Sequence, residues 1–159
     1  MNSYITLKSK QLGDLILTAN ETQLTGIYFA GRKHVPAALK DWKRDPSHPV
    51  LKKAARELED FLSGKRKNFT VPLHADGTEF QHKVWEQIAR IPFGKTITYS
   101  ELARRAGRPE AIRAAGAATG RNPLAIIVPC HRVVAKSGAL QGFAGGLETK
   151  KRLLALEQA

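Results

Sequence analysis

The chain has 159 residues, 42% of them hydrophobic, which is enough for one or two small domains with a buried core. Its 26 Lys and Arg against 14 Asp and Glu give a net charge of +12, which favours a polyanion as partner, although basic proteins can also be basic for solubility alone. No apolar stretch approaches the roughly 20 residues that span a bilayer, and the N-terminus lacks signal-peptide features. We therefore expect a cytoplasmic protein with no membrane partner.

The charge is unevenly distributed along the sequence. Residues 80–159 contain 13 basic and 5 acidic residues (+8), whereas residues 1–79 contain 13 and 9 (+4). The second half is therefore predicted to be the binding half.

The first part of the chain is predicted to be a small antiparallel sheet followed by one helix. Three β-rich runs alternate apolar and polar positions: residues 4–9, 13–20 and 23–31. Asn20 and Glu21 indicate a hairpin turn between the last two runs. Residues 30–49 contain the breakers Gly31, Pro36, Pro46 and Pro49 and are predicted to be a loop. Residues 49–64 then place their apolar side chains on one helical face, which we expect to cover the sheet.

Short elements dominate the second part. Thr78 and Gln81 have the spacing of a capping box and begin a helix with one apolar stripe. The apolar run 124–128 is predicted to be a buried strand that Pro129 stops. A final helix is predicted over residues 147–157.

Between these elements lies a helix-turn-helix pattern. Ser100 is predicted to cap its first helix, which stops at Gly107, and Pro109 to lie in the first turn of its second helix. The second helix is almost entirely Ala and Gly, with Arg113 as its one long projection. It could lie unusually close to DNA, or it could simply pack against its neighbour.

Cys130 is the only cysteine and is followed by His131 and Arg132. One cysteine excludes an internal disulfide and zinc sites that need two or more thiolates. A lone cysteine is by default a small buried hydrophobic residue, but a neighbouring His or Arg can lower a thiol pKa and activate it. We therefore expect an ionised, accessible thiol. Neighbours on a strand point to opposite faces, so His131 helps only if Pro129 breaks the strand or a water bridges the two.

Four stretches carry a family resemblance: FQHKVWEQIARIPFGKTITYSELARRAG, RAAGAATGRNP, VPCHRV and SGALQGFAGGLETKKRLLALE. They are similar to the DNA alkyltransferases that remove alkyl groups from the 6-oxygen of guanine. The resemblance is strong over residues 77–159 and weaker over 1–76. It implies an α/β (α+β) fold in two domains. Residues 1–76 would form a ribonuclease H-like antiparallel sheet with a helix, and residues 77–159 a helical, winged-helix-like domain with the helix-turn-helix.

The resemblance also implies catalytic roles. Cys130 would accept the alkyl group, and His131 would take the thiol proton through a water. Glu157 would orient His131, and Asn122 would brace the turn that presents Cys130. Tyr99 would donate a hydrogen bond to the base and help protonate the departing guanine.

Further residues are implied at the DNA and around the base. In this family the small-residue helix enters the minor groove of double-stranded DNA, and an arginine replaces the flipped-out nucleotide. The implied DNA contacts are Arg113 (the replacing side chain), Ala114, Ala117, Ala118 and Arg121, and the implied pocket residues are Val133, Phe143 and Ala144. Phe143 and Ala144 stand where tyrosine and serine occur in relatives, which leaves the tolerated alkyl size open.

The implied function is direct repair of 6-O-alkylguanine and of 4-O-alkylthymine. Transfer should be irreversible, with one turnover per molecule, because a thioether does not undergo thiol exchange and there is no second cysteine. No cofactor and no metal are expected, since the structural zinc of some members needs cysteines that this chain lacks. We expect a monomer, with cooperative assembly on DNA left open.

Two other readings compete. The first is a DNA-binding regulator with Cys130 as an oxidation sensor, although a regulator usually reads base edges with bulky polar residues on its recognition helix. The second is a relative that binds damaged DNA without repairing it, but such proteins lack the cysteine.

Overall fold

The computed structural model describes residues 2–32, 34–137, 143 and 145–158, and the chain divides into two compact units, Met1–Ala75 and Asp76–Ala159. Ala144, one of the predicted pocket residues, lies outside the described residues. Across the described ranges, no helix combines the length and the apolar character needed to cross a membrane.

A four-stranded sheet forms the centre of the N-terminal unit. Its strands are β1 (Ser3–Ser9), β2 (Gly13–Ala19), β3 (Leu24–Phe29) and β4 (Lys43–Arg44), in the order β3-β2-β1-β4. The first three pair antiparallel as predicted, and the Asn20 side chain accepts two backbone N–H bonds in the predicted hairpin turn. Strand β4 pairs parallel to β1 inside the stretch predicted to be a loop. Two paired residues are too few to leave a periodic sequence pattern.

Helix α1 (Pro49–Leu62) packs against the three antiparallel strands. Pro49 occupies the first turn, where its missing N–H costs no hydrogen bond. The helix ends at Leu62, and Gly64, with a φ of 81°, turns the chain so that the N–H groups of Gly64 and Lys65 return to carbonyls of the last turn. The apolar face buried on the sheet consists of Leu51, Ala54, Leu58, Phe61 and Leu62.

In the described part of the C-terminal unit there are four α-helices and one short strand pair. The elements are α2 (Glu79–Ala89), β5 (Ile97–Thr98), α3 (Tyr99–Arg105), α4 (Ile112–Gly120), β6 (Val133–Val134) and α5 (Leu147–Gln158). Strands β5 and β6 pair parallel. The predicted capping box of α2 is present, because Thr78 and Gln81 exchange both side-chain-to-backbone bonds.

The junction between α3 and α4 differs from the prediction in two places. Thr98, not Ser100, caps α3, because its hydroxyl accepts the Glu101 N–H at 3.1 Å. Gly107, with φ of 87°, ends α3 as predicted. Pro109 lies in a turn before α4 rather than in its first helical turn, since the helix begins only at Ile112. An additional turn of chain therefore separates the two helices.

Helix α4 buries one side and exposes the other. Ala115 and Ala118 face the core of the unit, and Ala118 is only 2% exposed. Its carbonyl accepts the Trp85 indole N–H at 2.8 Å, which ties α4 to α2. Ala118 therefore offers almost no side-chain surface for the predicted contact with DNA. Because Ala118 follows Ala115 by three residues, both lie on the inward face of the helix.

Candidate active site

The segment that leads to Cys130 is a buried turn, not the predicted strand. Residues 124–128 form successive turns, with Ile126 at a φ of 75°. Asn122 holds both ends, since its Nδ2 donates to the Val128 carbonyl at 2.8 Å and its Oδ1 accepts the Leu124 N–H at 2.9 Å. A β-branched residue in the left-handed region is strained. The Asn122 bonds stabilise this strained turn.

Cys130 begins a short 3-10 helix, Cys130–Arg132, directly after Pro129. Proline thus breaks the extended geometry, which was one of the two conditions for His131 to act on the thiol. Cys130 is 6% exposed. Burial raises the pKa of its thiol, and a hydrogen bond with Asn122 and the positive charge of Lys150 oppose this rise without cancelling it.

The expectation of an ionised resting thiol is therefore wrong. The neighbouring cations do not act on the sulfur as the sequence suggested. Arg132 directs its guanidinium to Glu157, and burial lowers the pKa of His131 so that its ring is neutral. The thiol is protonated until a base removes its proton.

His131 is completely buried and is bonded at one ring nitrogen only. Its Nε2 lies 2.7 Å from Oε2 of Glu157. Burial alone would raise the pKa of Glu157, but hydrogen bonds from His131 and Arg132 outweigh this and lower it to about 2. An ionised carboxylate can only accept, so Nε2 must carry the proton. In the neutral ring, Nδ1 is then an unprotonated base, and it has no hydrogen-bond partner among the described residues.

Arg132 donates to both oxygens of the Glu157 carboxylate, and Gly94 donates to Oε1. Arg132 donates from Nε at 2.8 Å and from Nη2 at 2.9 Å, and its Nη1 donates to the Ile91 carbonyl at 2.7 Å. The Gly94 N–H adds a bond at 3.1 Å. The carboxylate is thus fixed in charge and in position.

Lys150 is a buried cation beside the thiol. It is 1% exposed, and its Nζ donates to the Val133 carbonyl at 2.7 Å and lies 5.8 Å from the centre of the Tyr99 ring. Burial lowers the pKa of Lys150, whereas negative charge on Cys130 raises it. The reciprocal effect is that Lys150 stabilises a thiolate once it forms.

Tyr99 lies next to helix α4 and close enough to Cys130 to interact with its charge. The tyrosine is partly buried, and burial, followed by negative charge on Cys130, raises its pKa. A Cβ placed on Gly116 of α4 would lie 3.8 Å from the Tyr99 ring, so the glycine allows the helix to pass close by. The phenol therefore keeps its proton and can act as a donor.

Two predicted pocket residues, Val133 and Phe143, are buried. Val133 donates its N–H to the Cys130 carbonyl, and its own carbonyl accepts Lys150. One lone pair of that carbonyl oxygen therefore remains free to accept a hydrogen bond from a base. Phe143 is buried, and its carbonyl accepts the Gly146 N–H at 3.0 Å.

The outer face of α4 carries the remaining predicted DNA contacts. Arg113, Ala114, Ala117 and Arg121 are all exposed. Neither arginine side chain has an ion-pair or hydrogen-bond partner within the described part of the chain. This surface carries a positive charge at each end and only alanine methyl groups among its exposed side chains between them.

The comparisons with known proteins agree along the whole chain. The model of the 6-O-methylguanine DNA methyltransferase ribonuclease-like domain matches residues 3–75, and that of its DNA binding domain matches residues 79–159. A methylated-DNA-protein-cysteine methyltransferase of Methanosarcina barkeri is 41% identical over 98% of this chain and 97% of the relative. The constitutive one of Bacillus subtilis is 40% identical over 99% and 96%.

The chain belongs to the 6-O-methylguanine DNA methyltransferase family.

Solved structures of the family agree with this assignment. The O6-methylguanine methyltransferase of Mycobacterium tuberculosis is 39% identical, with a TM-score of 0.91 over 99% of this chain and 93% of that one. Mycobacterium tuberculosis OGT in complex with DNA is 38% identical, with a TM-score of 0.89 over 98% and 92%. The predicted fold class, a small N-terminal sheet with a helix followed by a C-terminal helical domain, is confirmed.

Sequence reasoning missed two residues of this family member's site, Arg132 and Lys150. Arg132 lies close to the thiol in the sequence, but in the structure its side chain is a partner of Glu157. Lys150 did have a signal, since Lys150, Leu153 and Glu157 are spaced for one helical face and are the buried residues of α5. A cation on a buried face requires a partner, and here that partner is the Val133 carbonyl.

Proposed function

We propose that this chain repairs alkylated DNA by moving the alkyl group from the 6-oxygen of guanine, or the 4-oxygen of thymine, to the sulfur of Cys130. The observation that carries the proposal is the His131 ring beside Cys130, with Nε2 held by Glu157 and a buried, unpartnered Nδ1. Family membership and the DNA complex of the Mycobacterium tuberculosis relative support it.

The reaction is a displacement at the alkyl carbon. Nδ1 of His131 takes the proton of the Cys130 thiol through one water. The thiolate then attacks the alkyl carbon, a sulfur-carbon bond forms, and the carbon-oxygen bond breaks with its electron pair passing to the base. Lys150 stabilises the thiolate, and Glu157 stabilises the imidazolium. The products are the S-alkyl thioether and the unmodified base.

Tyr99 assists the departure of the base. Its raised pKa keeps the phenol protonated, so that it can donate a hydrogen bond to the base as negative charge develops there. Proton transfer from Tyr99 to the base makes it a better leaving group. The proton that His131 gained restores the phenol, so protons balance over the reaction.

The damaged base must leave the duplex to reach a thiol that is 6% exposed. Helix α4 enters the minor groove with Ala114 and Ala117 against the groove floor, and Arg113 fills the space of the flipped nucleotide. Contacts to phosphates and sugars dominate, so that binding depends little on sequence.

The alternative hypothesis, a DNA-binding regulator that senses oxidation through Cys130, has less support than alkyl transfer. Sensor cysteines are exposed and have a low pKa, whereas Cys130 is buried and burial raises its pKa. The exposed face of α4 also lacks the polar side chains between its two arginines that a regulator needs to read base edges.

Intact-mass spectrometry tests the proposal. After incubation with a duplex that contains one 6-O-methylguanine, the protein should gain the mass of one methylene group, located on the peptide with Cys130. The Cys130→Ser protein is the control and should gain nothing while it still binds DNA. An unchanged mass of the wild-type protein, or methyl transfer by Cys130→Ser, would refute the proposal.

A further inference from the structure

The N-terminal unit carries as much positive charge as the C-terminal unit. The boundary at Ala75 gives each unit 13 basic and 7 acidic residues, or +6 each. The unequal net charges of residues 1–79 and 80–159 depend on where the chain is divided. Asp76 and Glu79 belong to the C-terminal unit, and counting them there makes the two net charges equal. The proposed DNA surface on α4 therefore accounts for only part of the charge.

A groove on the N-terminal unit concentrates some of this charge. It lies between α1, β1 and the segment around β4, and has a volume of about 320 Å³. Its walls consist of Ile5, Thr6, Arg44, Pro46, Lys52, Ala55, Arg56 and Glu59. Lys52, Arg56 and Glu59 form one stripe along α1, with Arg44 on the neighbouring strand. Three cations thus share the groove with one carboxylate.

These cations are not neutralised by the protein. The side chains of Arg44, Lys52 and Arg56 make no ion pair or hydrogen bond within the described residues. All three are exposed. Lys52 and Arg56 are also like charges four residues apart on a helix, an arrangement that destabilises the helix unless an anion lies between them.

The nearby carboxylates are already engaged. Asp45 accepts from Ser47 and lies 4.0 Å from Lys43. Glu57, 2% exposed, accepts the Thr70 hydroxyl at 2.6 Å and two backbone N–H groups.

Asp60 lies 3.8 Å from Arg66. Only Glu59 remains at the groove, so its net charge is positive.

We propose that this groove binds phosphates of a DNA backbone, independently of alkyl transfer at Cys130. Three unpaired cations around a floor of Ile5, Pro46 and Ala55 suit alternating phosphates and sugars, because the cations contact the anionic oxygens and the apolar floor contacts the sugar carbons. The groove adds affinity without sequence preference.

Salt dependence of DNA binding tests the groove directly. The logarithm of the DNA association constant falls linearly with the logarithm of the salt concentration. In the variant Arg44→Gln/Lys52→Gln/Arg56→Gln this fall should become less steep by about 0.9 for each phosphate that is no longer neutralised, or about 2 to 3 in total. The control variant Lys10→Gln/Lys40→Gln/Lys65→Gln removes the same charge from exposed, unpartnered lysines of the same unit that do not line the groove. Its slope should fall much less. Equal slopes for the two variants would overturn the proposal.

Acetylation of the unmutated protein gives a second readout. Lys52 should react several-fold more slowly with an acetylating reagent when undamaged duplex DNA is bound, whereas Lys40 and Lys65 should react as before. An equal acetylation rate of Lys52 with and without DNA would contradict the proposal that the groove binds DNA. Methyl transfer at saturating damaged duplex reports on the proposed function separately, because it requires Cys130 and should be complete in both triple variants.

Discussion

At the scale of single residues, the Glu157 carboxylate fixes the protonation of His131, the proposed base. His131, Arg132 and Gly94 all donate to it. Glu157→Gln replaces an obligate acceptor by an amide that can donate to Nε2, which favours the tautomer with its proton on Nδ1. We expect the single-turnover rate of methyl transfer at pH 7 to fall by roughly 10² to 10⁴.

The matched control for this variant is Glu148→Gln in the same helix. Glu148 is exposed, and its carboxylate lies 3.5 Å from Arg152. Its replacement should leave the transfer rate and the melting temperature unchanged. A Glu157→Gln protein that transferred methyl groups at the wild-type rate would show that His131 does not need the carboxylate.

The same carboxylate makes the fold sensitive to acid. Its pKa is lowered from an ordinary 4.5 to about 2 in the folded chain. A depressed pKa stabilises the folded state above the unfolded pKa, and this contribution is lost as pH falls from about 4.5 towards 2. Urea unfolding should show that the wild-type protein loses on the order of 2 to 3 kcal/mol more than Glu157→Gln across this window. Parallel pH curves for the two proteins would contradict this.

Lys150 acts on the thiol by charge rather than by contact with the substrate. Its positive charge lowers the pKa of Cys130, so Lys150→Met should raise that pKa further. The rise of the transfer rate with pH should then move to higher pH, with about a tenfold slower reaction at fixed pH for each unit of displacement. The exposed neighbour Lys151 provides the control as Lys151→Met. A variant that only lost stability would keep the wild-type pH profile at saturating DNA.

At the scale of elements, helix α4 has two faces whose small residues serve different purposes. Ala118 is buried beside Trp85, so Ala118→Leu overpacks the core and should cost about 1 to 3 kcal/mol of stability. Ala117 is exposed, so Ala117→Leu should leave the melting temperature unchanged and weaken DNA binding by holding the backbone off the groove. Measuring both quantities for both variants checks the assignment, and a loss of DNA binding without loss of stability in Ala118→Leu would reverse it.

The sequence predicted those elements whose signals are local and periodic. The alternation of β1 to β3, the apolar face of α1 and the capping box of α2 each involve residues a few positions apart. The run 124–128 was predicted to be a strand because its composition is apolar and β-branched. Its real conformation depends on the Asn122 bonds and on a positive φ at Ile126, an uncommon conformation for that residue type.

The site residues also differ in whether a local sequence signal could reveal them. A contiguous motif revealed Cys130, His131 and Arg132. Their hydrogen-bond partners, such as Glu157, are distant in sequence and are brought to them only by the fold. Burial then reversed the expected direction of the thiol pKa, because desolvation outweighs the favourable charge of Lys150. Sequence neighbours indicate which groups are present, but not how much water is excluded from them.

At the scale of the whole molecule, the presence of a single thiol predicts one alkyl transfer per protein molecule. Cys130 is the only cysteine of the chain, and a thioether lacks the disulfide sulfur that thiol exchange requires. With methylated duplex in excess, repair should stop when one guanine has been restored per chain, and every chain should then carry one added methylene. Dithiothreitol should restore no activity, because it reduces disulfides and leaves carbon-sulfur bonds intact. Repair of several guanines per chain, measured by digestion of the DNA and counting of 6-O-methylguanine, would mean that the alkyl group leaves Cys130 by a route that the chain's other side chains provide.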